Sequence, residues 1–551
     1  MNILSRLKHV VGGMPVWTWM AAAVPWIWVI PMNQLSWDDW AIFANRGLAD
    51  QFQFWSSQAK HPVNPFLYAL LLPLGAWAFH ALIFIAAVVM AGTLPGLIAN
   101  TRFTDVGLAR WAAPFALVMP VFHARFSIAT FEYSVALAAL LVAWQQLLRD
   151  QRKWRLAIAV TLLVFAVGVP SLAIVYPLIY FTVSLRDNGH RFSASLWKAL
   201  ATRAYIVIVP LGYALVFQRL LNTRNKFRIS RDGLIDFNND LIRLVVVLAV
   251  LLLIVFRFKR RLLGSCWRIG LAILLSYLAL FPYFAVGYKP LFDFMPWKMR
   301  EAVREVAVQR LLIALFVLTL LSVVVFLLIE RSMSIGLGSF GILGVLAAIV
   351  LGASTAVLGP MDWDSRHWLI AWPGLALLFV ALLRPVDAHQ RRAVGMIIFT
   401  VLAASSTWIS GEYVVDSLKQ RAIVDAVGRE FVEQDLPDLR KADLAFVVVE
   451  FTDRTQALNA RFRKYRPYEW WGMVADGLNV PPERLKLLER EDLGVGRRKV
   501  CRVRREGVII TPVVQSTYLE TLLSLRATVK LQPRTITLCD PRVEYGWPRD
   551  P

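Results

Sequence analysis

The stretch Ser36-Trp37-Asp38-Asp39-Trp40 closely follows the first long apolar segment, residues 15–32. Two adjacent carboxylates between tryptophans at the end of an apolar segment are unfavourable unless they are paired, hydrated or used. The chain around them is 57% hydrophobic over 551 residues, and its mean hydropathy is +0.54. A single water-soluble globule cannot be built from that composition. The sequence therefore predicts an integral membrane protein with a functional site at the acid pair.

Apolar runs long enough to span a bilayer recur along the first 410 residues. Allowing for short and proline-interrupted runs, we count about thirteen by the usual length of roughly 17 to 25 residues. The predicted spans are 15–32, 81–97, 111–121, 134–148, 156–168, 171–183, 205–221, 241–256, 269–286, 311–329, 336–358, 368–383 and 394–408.

Basic residues concentrate in short loops such as 149–155 and 257–261. This is the distribution expected of cytoplasmic loops, and anionic lipid is the partner that such loops meet. The net charge of +22 is therefore attributed to membrane orientation, and nucleic acid is not a predicted partner. A retained first helix, a cytoplasmic N-terminus and an odd number of spans place the chain after about residue 411 on the outer side.

The chain becomes more polar after residue 411. Residues 444–449 and 508–510 are predicted to form buried strands between helical stretches such as 414–434. The predicted fold is an all-α polytopic membrane domain over residues 1–410, followed by a soluble α/β or α+β domain over residues 411–551. Cys501 and Cys539 lie in this second domain, where an oxidising compartment would favour a bridge; two free thiols are the alternative.

The first outer loop, residues 33–65, is too long for a simple connection. It contains Asp38 and Asp39 and ends near Lys60 and His61. A carboxylate at the membrane surface can act as a general base for an acceptor hydroxyl, and an interfacial helix with solvated acids is the alternative. The acid pair could also hold Mg²⁺ or Mn²⁺, while metal-free chemistry is equally open, and no His or Cys spacing indicates zinc.

Two later loops carry cations beside helix ends. Arg366 and His367 precede a late apolar run, and Lys289, Lys298 and Arg300 belong to the aromatic segment 288–300. A guanidinium can bind phosphate through two parallel hydrogen bonds. Ion pairs with neighbouring aspartates, or cations that only snorkel to the interface, are the alternatives.

A long helix, an acid pair in an outer loop, many further spans and an outer C-terminal domain together resemble the GT-C superfamily of integral membrane glycosyltransferases. The Asp-Asp-Trp sequence at 38–40 is also similar to bacterial membrane glucosyltransferases that modify O-antigen. This resemblance implies an inverting sugar transfer from a polyprenyl-phosphate donor to a glycan or lipid acceptor of the cell envelope. It also implies the bacterial inner membrane, with the C-terminal domain in the periplasm.

The same resemblance implies roles for individual residues. Asp38 and Asp39 would be the catalytic acidic pair, either of them the base. The residues expected to bind the donor phosphate are Lys60, His61, Lys289, Lys298, Arg300, Arg366 and His367.

Other function classes stay open beside sugar transfer. A transporter or flippase of lipid-linked saccharide would need paired repeats and charges at the middle of the membrane. An O-antigen polymerase or ligase would be favoured by large, arginine-rich outer loops, and a scaffold needs no site at all. No nucleotide-binding motif points to a sugar-nucleotide donor.

Overall fold

The computed structural model describes the following residues: 14–32, 35, 39–44, 48–49, 51, 64–99, 106–119, 126–149, 152–169, 172, 175–188, 194–220, 369, 371–383, 388–433, 445–449, 467–479, 485–488 and 504–539. The predicted spans 241–256, 269–286, 311–329 and 336–358 lie outside these residues.

The described part of the chain is mostly helical. Its helices are α1 Val16–Ile27, α2 Asp39–Ala44, α3 Asn64–Leu71, α4 Ala76–Ala99, α5 Val106–Ala109, α6 Ala112–Val118, α7 Phe131–Leu147, α8 Lys153–Ala166, α9 Tyr176–Asp187, α10 Ser195–Arg203, α11 Tyr205–Leu220, α12 Ala371–Leu383, α13 Ala388–Glu433, α14 Pro467–Leu478 and α15 Tyr518–Ser524. Its strands are β1 Ala445–Val449, β2 Leu485–Leu488, β3 Arg504–Val514 and β4 Val529–Cys539.

Three helical stretches within the described residues are long and apolar enough to cross a membrane: Ala76–Ile98, Ile128–Leu147 and Gln390–Glu430. On the first of them, Ile85, Val88 and Val89 are exposed, as expected of side chains that face lipid. Together with the composition, these helices make the chain a membrane protein. The number of spans, near thirteen, and their orientation stay predictions.

Helix α6 is much shorter than the predicted span 111–121. It has 7 residues, all of them buried, and a helix of that length covers only about 10 Å. The backbone turns extended at Met119, and Pro120 follows. A proline disfavours helical backbone in the residue before it, which explains why the helix ends inside the apolar run.

Two tryptophans from distant helices close the carboxyl end of α6. The indole N–H of Trp26 donates to the carbonyl of Leu117 at 2.9 Å, and that of Trp372 donates to the carbonyl of Ala116 at 2.5 Å. Carbonyls in the last turn of a helix have no partner within it. The two indoles, stacked with centroids 5.9 Å apart, therefore satisfy groups that would otherwise be costly to bury.

Helix α13 contains 46 residues without interruption and is about 70 Å long. The predicted span 394–408 and residues 414–433 of the predicted helix 414–434 are parts of this one helix. It runs straight through residues 410 and 411, where the sequence placed the domain boundary. The division into two domains stays a prediction, but the two predicted parts share a continuous helix.

The last part of the described chain forms a four-stranded sheet in the order β2-β1-β3-β4. β1 is parallel to β2 and to β3, and β3 is antiparallel to β4. Residues 445–449 of the predicted strand 444–449 form β1, and the predicted strand 508–510 lies in β3. We call β1 to β4 with α14 and α15 the sheet module; its solubility and outer location stay predictions.

The described residues form two hydrophobic cores. The larger core is built by the apolar helices, and the smaller core joins the sheet, α14 and the second half of α13. Helix α2 belongs to both, since Ile42 lies in the larger core and Trp40 in the smaller. The residue that begins α2 is Asp39.

Candidate functional site

The carboxylate of Asp39 is completely buried. Its Oδ1 accepts a hydrogen bond from Ser127 Oγ at 2.7 Å and another from the backbone N–H of Ala129 at 2.7 Å. Ala129 lies in the 3-10 turn Ile128–Thr130 that leads directly into α7. The N–H groups at the start of a helix lack intrahelical partners, and the helix dipole favours an anion there. Asp39, from a distant part of the chain, thus caps the 3-10 turn that leads into α7.

The segment that binds Asp39, residues 126–130, is also held by two other buried side chains. The Tyr68 hydroxyl donates to the carbonyl of Ile128 at 3.0 Å. Nε2 of His80 lies 2.9 Å from the carbonyl oxygen of Phe126; because a carbonyl can only accept, Nε2 is the nitrogen that carries the hydrogen. Side chains from α2, α3 and α4 therefore fix one short segment.

Segment 126–130 lies at one end of the helical bundle. It precedes α7, and His80, which contacts it, is near the start of α4. The ring of Phe126 also meets Tyr413 of α13, with centroids 5.0 Å apart. Beyond Tyr413, α13 continues to the sheet module, against which it packs. Asp39 and the sheet module therefore lie at the same end of the bundle, and which side of the membrane this is stays a prediction.

Trp40, the neighbour of Asp39, packs into the core of the sheet module. Its indole lies directly on the backbone of α14 at Gly472. A Cβ at Gly472 would lie 2.7 Å from Cδ2 of Trp40 and 3.0 Å from Cγ, closer than carbon atoms can approach. Glycine at this position is what allows the ring and the helix to touch.

Among the predicted site residues, only Asp39 is in the described part of the chain. Outside it lie Asp38, Lys60, His61, Lys289, Lys298, Arg300, Arg366 and His367. The predicted approach of Arg366 to the acid pair is therefore untested. Within the described residues, no group of three or more His, Cys, Asp or Glu could hold a metal ion, and the choice between Mg²⁺, Mn²⁺ and no metal at Asp38 and Asp39 stays open.

Sequence reasoning missed Ser127, His80 and Tyr68. His80 carried a usable signal, because an ionisable residue within an apolar helix such as α4 calls for a partner. Nothing in the sequence distinguishes Ser127 and Tyr68 from ordinary loop and interface residues. Trp470 of α14 is completely buried in the core of the sheet module.

No family model matches the sequence, and a search of curated proteins finds no match. Among solved structures, the chain is similar to the crystal structure of ArnT from Cupriavidus metallidurans bound to undecaprenyl phosphate. The TM-score is 0.32 and the identity 11%, covering 94% of this chain and 97% of that chain.

Proposed function

We propose that this protein is a membrane glycosyltransferase that moves a sugar from a polyprenyl-phosphate donor to a glycan or lipid acceptor outside the cytoplasm. The observation that supports this most is the buried carboxylate of Asp39, held by Ser127 and Ala129 at one end of the bundle. Removing a carboxylate from water is expensive even when it is hydrogen-bonded. A membrane protein that retains such a group usually uses it.

The proposed reaction is a direct displacement. A carboxylate takes the proton of the acceptor hydroxyl while that oxygen attacks the anomeric carbon of the sugar. The bond from the anomeric carbon to the phosphate oxygen breaks, and the lipid phosphate leaves with the bonding electrons. Attack from the opposite face inverts the anomeric centre. The base must lie within about 2.6 to 3.2 Å of the acceptor oxygen for this step.

The contacts of Asp39 suggest different roles for Asp38 and Asp39. An oxygen of a carboxylate has two lone-pair directions, and those of Asp39 Oδ1 are occupied by Ser127 and Ala129. That oxygen positions the loop and does not accept the proton of a substrate. These two bonds exclude Oδ1 but not Oδ2 of Asp39; within the acid pair, we propose that Asp38 accepts the proton and that Asp39 fixes its position.

The donor phosphate requires cationic partners in this proposal. Arg366 with His367, the basic residues Lys289, Lys298 and Arg300, and the pair Lys60 and His61 are the candidates. A guanidinium can stabilise the charge that develops on the departing phosphate. Mg²⁺ or Mn²⁺ held by the acid pair is the alternative source of positive charge.

The test is sugar transfer by the purified protein in detergent, using a panel of synthetic polyprenyl-phosphate sugars and following release of polyprenyl phosphate. We expect Asp38→Asn to abolish release. Asp39→Asn should retain part of the activity, because its amide oxygen can accept the same two hydrogen bonds, whereas Asp39→Leu should not fold. Full activity of both asparagine variants would show that neither carboxylate acts as the general base. A parallel assay with EDTA decides whether a divalent metal takes part.

A further inference from the structure

We infer that the sheet module sets the position of Asp39 through the contact between Trp40 and Gly472. The sheet module then contributes to the site around Asp39 and is not only an appended domain. The effect on sugar transfer rests on the proposed function, but the effect on the position of Asp39 does not. Both effects can be measured separately.

Helix α2 cannot hold its own position. It has 6 residues, and helices shorter than about 12 residues are marginal in water without packing. Its contacts with other elements must therefore decide where Asp39 lies. Those contacts come from two sides: Asp39 and Ile42 meet the helical bundle, and Trp40 meets the sheet module.

Asp39 and Trp40 are consecutive residues on one helical turn. Their side chains leave the helix axis at an angle of about 100° to one another. When Trp40 is fixed on one side, the direction of Asp39 is fixed on the other. A displacement of the Trp40 ring that moves the backbone of α2 consequently rotates or shifts the carboxylate relative to Ser127 and Ala129.

The surface that Trp40 meets is tightly packed. Trp470 and Met473 of α14 are completely buried. A Cβ at Gly477 would lie 2.7 Å from the carbonyl oxygen of Val424, so the backbones of α14 and α13 are in direct contact there. Since α13 also passes through the helical bundle, it links both supports of α2. A methyl group at Gly472 would therefore displace Trp40 more readily than α14.

A small displacement is enough to matter for the proposed chemistry. The two hydrogen bonds to Asp39 Oδ1 are both 2.7 Å long, and a shift of Asp39 also moves the adjacent Asp38, the proposed base. A misplacement of about 1 Å in a reacting group can cost roughly 100-fold in rate. Gly472→Ala should lower kcat by about that factor. KM for the lipid donor should change little, because the substitution does not touch the residues proposed to bind phosphate.

The experiment combines hydrogen exchange with kinetics on the full-length protein. In Gly472→Ala, we expect the amides of 39–44 and of Ala129 to exchange at least about tenfold faster, since loss of packing lowers the free energy of local opening. Gly92→Ala and Gly212→Ala are the matched controls, because a Cβ at either position meets nothing within 4 Å. Neither control should change exchange at Asp39 or Ala129.

A second substitution makes the test specific to this contact. Trp40→Leu removes most of the ring that Gly472→Ala would strike, so the double variant should exchange more slowly at Ala129 than Gly472→Ala alone. Unchanged exchange in Gly472→Ala, or a double variant whose defect is the sum of the single defects, would overturn the inference. Should Gly472→Ala fail to fold, Trp40→Leu alone must speed exchange in 39–44 while β3 and β4 stay protected; otherwise the inference is wrong.

The proposed function and this inference fail in different ways. If no lipid-linked sugar is transferred by the wild-type protein, the proposed function is lost, and the exchange measurements still decide whether Gly472 positions Asp39. If transfer occurs and Gly472→Ala changes neither exchange nor kcat, the function stands and the inference is rejected.

Discussion

Ser127 and Asp39 are 88 residues apart in the sequence and are joined by a buried hydrogen bond of 2.7 Å, donated by the serine hydroxyl to the carboxylate. We expect Ser127→Ala to destabilise the protein by about 1–3 kcal/mol, since it leaves a buried charged group with one donor fewer. Thermal unfolding in detergent measures this.

The matched control for Ser127→Ala is Ser405→Ala. The Ser405 hydroxyl donates to the carbonyl of Val401 within its own helix, and such a bond adds little stability. Equal loss of stability in the two variants would mean that the bond from Ser127 to Asp39 stabilises the protein no more than an ordinary bond within a helix.

Tyr68 offers a second way to loosen segment 126–130. Tyr68→Phe removes the hydrogen bond to the Ile128 carbonyl and should cost about 1 kcal/mol. Because the bond holds the segment that positions Asp39, amide exchange at Ala129 should rise and sugar transfer should fall. Tyr176→Phe is the matched control, since its buried hydroxyl donates to the carbonyl of Leu163 at 2.5 Å, far from the site along the chain. An equal fall in transfer for both variants would contradict the prediction.

Local sequence patterns were sufficient to predict the helical character of the chain and the strands β1 and β3. Apolar runs of the right length predict helices, and the run of β-branched residues near Val447 predicts a buried strand. The position of Asp39 after the first apolar segment was enough to single it out. These features depend on residues close together in the sequence.

The features that the sequence did not reveal depend on distant contacts or on helix continuity. The bond between Ser127 and Asp39 joins parts of the chain that no local pattern relates. The continuity of α13 was hidden because Gly411 and the polar residues after it resemble a boundary. A single glycine is tolerated inside a helix, and packing of α13 against α1 and α14 holds the helix through it.

Substitution of Trp372 measures how much its hydrogen bond to the carboxyl end of α6 stabilises the protein. Trp372→Phe keeps most of the apolar ring area but removes the N–H that donates to the Ala116 carbonyl. We expect a loss of about 1–3 kcal/mol, because a buried carbonyl loses its donor. Trp197→Phe, at a position where the side chain is 76% exposed, should leave thermal stability unchanged. A similar melting temperature for both variants would show that water or a neighbouring group replaces the indole.

The start of α15 gives the chain a stability term that depends on pH. The backbone N–H and the hydroxyl of Thr517 both donate to Glu520 Oε2, at 2.7 and 2.9 Å. These bonds favour the ionised carboxylate and hold the pKa of Glu520 below its usual value of 4.5. Because the pKa of Glu520 is lower in the folded state than in the unfolded state, its ionised carboxylate stabilises the helix. This stabilisation is complete above the unfolded-state pKa and is lost as the pH falls through the folded-state pKa.

We therefore compare amide exchange in 518–524 between the wild type and Glu520→Gln at matched pH. Glutamine can accept the bond from Thr517 without a charge, so the wild type should be better protected at neutral pH, and the difference should vanish once the pH falls below the lowered pKa of Glu520. In Thr517→Ala the hydroxyl donor is gone, and the pKa of Glu520 should move back toward 4.5. A ratio of exchange rates that stays constant from neutral pH into the acid range would show that the charge of Glu520 does not stabilise α15.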